Sequence, residues 1–261
     1  NSAVAFYVGA LPVRWYGLII SAAMCVGIFL AYREAERQHQ NGDHLINMML
    51  LLLPSAIIGA RLYYVLFRLD YYLAHPDRII ATWEGGLAIH GGVILGAAAV
   101  WLYCHMRRQD FFRWADILAP SLALGQAIGR WGNFANHEAY GPAIDPAGPW
   151  SWIPLQVYAD GAYHHPCFLY ESVWNLLVFV FLLCLLRRPH RIGSAFAWYL
   201  ILYSVGRFFI ETLRTDSLMW GSVRVSQALS VVLCALSVIA LVIRHQRHKG
   251  ESPYPLPAGK P

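Results

Sequence analysis

Residues 116–141 read Asp116-Ile-Leu-Ala-Pro-Ser-Leu-Ala-Leu-Gly-Gln-Ala-Ile-Gly-Arg-Trp-Gly-Asn-Phe-Ala-Asn-His-Glu-Ala-Tyr-Gly141. The first part, to Trp131, is an apolar run. The second part brings an arginine, two asparagines, a histidine and a glutamate ahead of a glycine- and proline-rich loop. Such a run places Arg130 at or just inside the end of a membrane helix. An arginine at membrane depth is costly, so it marks a candidate functional site and needs a partner. Read alone, Arg130 fits equally a side chain that reaches for the headgroups from a glycine-rich helix exit. Its surroundings decide.

The chain has 261 residues, 57% of them hydrophobic and 13% charged. That is too apolar for an ordinary soluble domain of this size. Several apolar runs approach the ~20 residues that span a bilayer. They are continuously apolar and do not alternate with period two, which favours helices over a barrel. The net charge of +5 is spread over short loops and reads as topology, not as a nucleic-acid surface. Five cysteines, at 25, 104, 167, 184 and 234, show no CxxC or paired spacing. Most fall in or beside apolar runs, where cysteine behaves as a small hydrophobe; neither a metal site nor a disulfide framework is expected. No basic segment precedes the first apolar run, so no cleavable leader is expected there.

The expected fold is all-α, a polytopic membrane protein of about seven transmembrane helices. The predicted spans are 15–32, 44–67, 87–105, 116–131, 167–186, 193–213 and 225–243, the fourth being short. Lysine and arginine follow the first, third, fifth and seventh spans (Arg33 and Arg37; Arg107, Arg108 and Arg113; Arg187, Arg188 and Arg191; Arg244, Arg247 and Lys249), whereas 132–166 carries neither. Positive residues concentrate on the cytoplasmic side, which puts the N-terminus out and the C-terminus in. Residues 1–249 form a single transmembrane body, with a small periplasmic cap from 132–166. The proline-rich segment 250–261 reads as a flexible tail. No internal repeat is visible.

On this topology the costly residues gather near one depth, toward the outer leaflet. Arg61 lies in the outer half of the second span and His90 one turn into the third. Arg130 ends the fourth span. His165 precedes the fifth and Glu171 lies just within it, while Arg207 and Glu211 lie toward the outer end of the sixth and Arg214 beyond it. Arg207 and Glu211, four apart, share a helix face and can pair. Blander roles are open for several of these residues. Arg61 paired with Glu84 or Glu138 reads as scaffold. Asp116 reads as a cap of the fourth span, and Tyr16 fits an aromatic belt. Three arginines at one depth nevertheless exceed what two nearby glutamates neutralise. The excess points to an anionic ligand such as a phosphate, which arginine's planar fork suits. A histidine nearby is able to take a proton from a nucleophile near neutral pH. No GxSxG elbow, HExxH helix or phosphate loop is present, which argues against lipase, zinc-protease and nucleotide-driven readings. A transporter with an anion site would need polar residues down to the inner leaflet. The inner halves of the fifth and seventh spans are instead Leu, Val and Phe. A purely structural scaffold leaves the excess arginine unexplained.

At these residues the chain resembles the bacterial prolipoprotein diacylglyceryl transferases. The signature Gly-Arg-x-Gly-Asn-Phe-x-Asn-x-Glu is met by Gly129, Arg130, Gly132, Asn133, Phe134, Asn136 and Glu138, with Gly141 following. His90-Gly91-Gly92, the run Gly206 to Glu211 with Arg214-Thr215-Asp216, and His165-Pro166 with Leu169-Tyr170-Glu171 resemble further family segments. In the last, Cys167 and Phe168 stand where the family often has a polar pair.

The resemblance implies transfer of a diacylglyceryl group from phosphatidylglycerol to the lipobox cysteine of a preprolipoprotein signal peptide. A thioether forms and glycerol phosphate is released, with no cofactor, no metal and no nucleic acid. It implies Arg130 and Arg207 as phosphate clamps and His90 as base or thiol-orienting group. Asn133, Asn136 and Glu138 would place the headgroup and Glu211 would orient Arg207, with Tyr16, Gly141 and Arg214 as further binding residues. The implied location is the bacterial cytoplasmic (inner) membrane, multi-pass among its lipids, with the active site toward the outer leaflet.

Overall fold

A computed structural model describes residues 4–9, 11–82, 85–215, 219–221 and 223–247. The predicted flexible tail 250–261 and the pairing of Arg61 with Glu84 lie outside the described residues. Among the described residues the α-helices are α1 (Trp15–Arg37), α2 (Gly42–Phe67), the short α3 (Leu69–Ala74), α4 (Ile89–Met106), α5 (Phe111–Ala135), α6 (Cys167–Leu186), α7 (Ser194–Leu213) and α8 (Val225–Arg247). The seven long helices coincide with the seven predicted apolar runs. Five of them, α1, α2, α4, α6 and α8, are long and apolar enough to cross a membrane. The other two, α5 and α7, carry the ionisable residues Asp116, Arg130, Arg207 and Glu211, and such residues lower an apolar stretch's hydropathy.

The fourth predicted run proves longer than expected. Asp110 accepts hydrogen bonds from the backbone N–H of Phe112 (2.8 Å) and Arg113 (3.1 Å), so α5 starts five residues before Asp116 and runs for 25 residues. Capping of this kind satisfies first-turn donors that no intrahelical carbonyl reaches. Asp116 therefore does not cap its own helix. Its carboxylate, 2% exposed, accepts from the N–H of Gly193 (2.5 Å) and of Phe196 (2.7 Å) at the start of α7.

Antiparallel two-stranded hairpins, which the apolar pattern does not announce, precede α1 and stand between α5 and α6 and between α7 and α8. These are β1 (Val4–Val8) with β2 (Leu11–Arg14), β3 (Val157–Ala159) with β4 (Ala162–His164), and β5 (Met219–Trp220) with β6 (Val223–Arg224). Val157 faces His164 in the second hairpin, and an isolated bridge joins Ala143 to His164.

The chain divides into two compact units, residues 1–34 with 115–261, and residues 35–114. In the first, α6 packs on α7, and α7 on α8. Ala119 and Ala123 of α5 meet Val178, Leu182 and Leu186 of α6 and Tyr199 of α7 in a buried cluster. Polar side chains join the helices as well. Ser172 donates to the carbonyl of Ala127 (2.8 Å), Trp131 to the Ser172 hydroxyl (3.2 Å), and Trp174 to the carbonyl of Leu202 (2.8 Å). In hydrocarbon, where apolar burial gives little drive, such bonds and close packing hold helices together.

In the second unit, α2 crosses α4 at Gly59 and Gly91. A Cβ on either glycine would collide with the other's carbonyl, so the backbones touch. Small residues at such a crossing permit this approach. His44 of α2 bonds Tyr103 of α4 (2.8 Å), fixing the other end of the pair.

Candidate functional site

The first unit gathers most of the predicted site residues, and the carboxylate of Glu171 is their hub. Glu171 opens the second turn of α6 and is 4% exposed. One of its oxygens pairs with Arg130 Nε of α5 and the other with Arg207 Nη1 of α7. Arg207 Nη2 also pairs with Glu211 Oε2 at 2.5 Å, one turn along its own helix. Glu211 is 1% exposed, whereas the side chains of Arg130 and Arg207 keep 20% and 14% exposure. Two guanidinium groups from separate helices are thus held together by buried carboxylates, with part of each arginine side chain left exposed.

Local packing explains why these residues meet. Gly206 lies against the indole of Trp174, where any Cβ would overlap the ring. That seat brings α6 and α7 close beside Arg207, and Glu171 lies three residues before Trp174. On the other side, Trp131 bonds Ser172, next to Glu171 in sequence, while Arg130 precedes Trp131. Two tryptophan anchors therefore set the positions of both arginines against one carboxylate.

From Arg130 the network runs into the loop after α5. Asn133 Oδ1 stands 3.5 Å from Arg130 Nη1, and Asn133 Nδ2 donates to Glu138 Oε1 (2.9 Å). Asn136 Nδ2 reaches the same oxygen (3.4 Å). The turn is closed by Glu138 N–H on the carbonyl of Asn133 (3.0 Å). Tyr16 packs beside this helix end, since a Cβ on Gly132 would come within 2.7 Å of its ring. Gly141 is equally confined. A Cβ there would lie 2.9 Å from His165 Cβ, 3.0 Å from the Leu213 carbonyl and 3.1 Å from Cys167 Sγ. Arg214 follows the end of α7, its N–H on the Glu211 carbonyl (3.3 Å), and Arg224 of β6 donates to that same carbonyl.

His90 belongs to the second unit. It is the second residue of α4, exposed, its ring 6.1 Å from that of Tyr63. Arg61 is there too, donating to backbone carbonyls, while Glu138 is engaged by two asparagines. Arg61 is thus held by backbone carbonyls of its own unit. Glu171 is the residue the sequence reading underused; an ionisable residue within an apolar span was the available signal. The predicted excess of arginine over carboxylate is also absent from the paired core, where two arginines meet two carboxylates. Cys167 and Phe168, each 1% exposed, pack inward, Phe168 stacking on Phe134 (4.6 Å between ring centres). Among the described residues no group of histidine, cysteine and carboxylate side chains has metal-site geometry.

Apolar helices that meet around buried arginine–glutamate pairs define a multi-pass membrane protein with a polar site between its helices. A family model described as prolipoprotein diacylglyceryl transferase matches residues 3–243, and the chain belongs to that family. It is 48% identical over 239 residues to a phosphatidylglycerol–prolipoprotein diacylglyceryl transferase of Clostridium botulinum, covering 90% of this chain and 94% of that one. Enzymes of the same name from Bacillus velezensis (46% over 257 residues, 96% and 95% covered) and Bacillus cytotoxicus (44% over 256 residues, 96% and 95% covered) are similar.

Proposed function

We propose that the chain transfers the diacylglyceryl group of phosphatidylglycerol to the lipobox cysteine of a preprolipoprotein, forming a thioether and releasing glycerol phosphate. One observation carries the mechanism: Glu171 ties Arg130 and Arg207 to a single carboxylate. In the reaction the thiol sulfur attacks a glycerol carbon, the C–S bond forms and the bond from that carbon to phosphate oxygen breaks. The phosphate keeps the departing electron pair, and the thiol proton passes to a base. Each guanidinium offers five N–H donors and spends only part of them on carboxylates, so both retain donors for a phosphate. Preorganised donors at the departing oxygen stabilise charge as it develops. Glu171 and Glu211 position the arginines. Asn133, Asn136 and Glu138 place the headgroup glycerol, and Tyr16, Gly141 and Arg214 shape the binding site around it. His90 is assigned the proton.

The embedding we infer follows the positive loops. All seven long helices cross the bacterial inner membrane, N-terminus out and C-terminus in, as one body over residues 1–249. Residues 132–166 form a small periplasmic cap, and the site faces the outer leaflet, where phosphatidylglycerol and the signal peptide's lipobox enter from the surrounding lipids.

The test is incubation of the purified chain with phosphatidylglycerol and a lipobox peptide, followed by mass analysis of the peptide. A diacylglyceryl adduct is expected, and none with Arg130→Ala or Arg207→Ala although both insert and purify. Full activity in either variant removes the clamp. His90→Asn that retains turnover with an unaltered pH profile removes His90 as base.

A further inference from the structure

At the C-terminal end of α2 the chain turns through Arg68 into α3 and then a short 3-10 turn, Pro76–Arg78. Arg61, one to two turns before that end, is 7% exposed. Its Nε donates to the carbonyl of Ile79 (2.8 Å) and its Nη2 to that of Arg78 (2.6 Å). Its Nη1 donates to the carbonyls of Gly85 (2.6 Å) and Gly86 (3.0 Å). Both glycines adopt positive φ (93° and 73°), and a Cβ on Gly86 would lie 2.6 Å from Arg61 Nη1. Only glycine tolerates this approach. The guanidinium also stands 5.3 Å from the centre of the Tyr72 ring. Carbonyl dipoles and a ring face solvate the cation without cancelling its unit charge. No carboxylate pairs with Arg61 among the described residues.

Beside Arg61 lies a cavity of about 300 Å³ whose lining, among the described residues, includes Arg61, Arg68, Arg78, Tyr64, Tyr71 and Tyr72 and no acidic residue. That volume is at the lower bound of ordinary small-ligand sites. Close to it in the chain, Phe67, Leu73 and Ile80 are 73%, 72% and 75% exposed, large apolar side chains at the end of a helix fit to cross a membrane. A cationic hollow bordered by tyrosines and by exposed apolar residues matches a ligand with one anionic head and hydrocarbon tails.

We propose that this cavity holds the phosphate of an anionic phospholipid, with the acyl chains lying along Phe67, Leu73 and Ile80. Arg61 supplies fixed positive charge, and the exposed Arg68 closes on the phosphate with a charge-assisted hydrogen bond. The hollow shares no lining residue with the Arg130–Glu171–Arg207 cluster, and it reads the phosphate, not the headgroup alcohol.

The test is native mass spectrometry of the full chain titrated with phosphatidic acid, which has no headgroup alcohol, and with phosphatidylcholine of the same acyl chains. Phosphatidic acid is expected to bind more tightly than phosphatidylcholine. Arg68→Gln should lose one bound phosphatidic acid, or about tenfold in affinity at that step. The variant's melting temperature in phosphatidylcholine should be unchanged, because the Arg68 side chain is exposed. If that melt falls, Arg68→Lys, which keeps the charge, is read by the same titration and must retain the lipid better than Arg68→Gln. Glycerol 3-phosphate should not displace the lipid. Equal retention by Arg68→Gln, equal binding of phosphatidylcholine, or displacement by glycerol 3-phosphate overturns the proposal, the last outcome assigning the hollow to a soluble phosphate.

Discussion

Gly206 of α7 lies flat against the indole of Trp174 on α6, with no room for a Cβ between them. The same indole donates to the carbonyl of Leu202, one turn earlier on α7 (2.8 Å). This contact is local packing with a functional consequence, because Arg207 is the next residue and Glu171 is three before Trp174. Gly206→Ala is expected to push the helices apart and to weaken the ion pair between Arg207 and Glu171. Overpacking of this kind costs about 1–3 kcal/mol. Thermal unfolding in detergent should show the loss, and transfer to a lipobox peptide should fall further than the melt alone explains. Wild-type melting and wild-type turnover together would show that the two helices need no such contact.

Glu171 and Glu211 both pair with Arg207, yet only Glu171 also holds Arg130. Removing one partner of a buried ion pair leaves an uncompensated charge and costs about 3–5 kcal/mol. Glu171→Gln keeps the shape and removes the charge, leaving Arg207 with Glu211 but taking from Arg130 the carboxylate it pairs with. Glu171→Gln should therefore damage transfer more than Glu211→Gln. Comparison of kcat and melting temperature for the two variants tests the order. The reverse order would mean that Glu211 is the hub.

Asp116 reaches 77 residues along the sequence to take the N–H of Gly193 (2.5 Å) and, one turn into α7, that of Phe196 (2.7 Å). Loss of an N-cap acceptor costs about 0.5–2 kcal/mol. Asp116→Ala should lower the unfolding temperature and raise amide exchange in the first turn of α7. Asp116→Asn, which keeps an acceptor oxygen, should recover part of the loss. If the first turn of α7 exchanges no faster in Asp116→Ala, the carboxylate is not its cap.

These examples mark what is legible in the chain. The seven long helices follow from continuous apolar runs, and the arginines and asparagines of the site from costly residues at helix ends. Partner choice across helices was not legible. Spacing shows that Arg207 and Glu211 share a face, but it carries no sign that Glu171 on another helix meets both arginines. Arg61 was read as seeking a carboxylate and is solvated by four carbonyls, groups every residue has and no composition reveals. Asp116 was read as capping the helix it stands in because caps are local in most helices. The hairpins among the described residues have two to five residues per strand, too brief for a period-two pattern to stand out.

The five cysteines offer a final test of where the nucleophile resides. All are free thiols, Cys104 and Cys167 buried, Cys25 and Cys184 exposed, and Cys234 between. Cys167 fills space beside Gly141. In the proposed reaction the attacking sulfur comes from the peptide. A chain with serine at 25, 184 and 234 and alanine at 104 and 167 should therefore retain transfer per folded molecule within about twofold, since substitutions away from the reacting atoms act mainly through stability. The melt should fall by the small core losses at 104 and 167, with the three remaining changes near neutral. Thiol alkylation of the wild-type enzyme before peptide is added should likewise spare activity. A folded cysteine-free chain without transfer would place the essential thiol in the enzyme and replace direct attack by a two-step, covalent route.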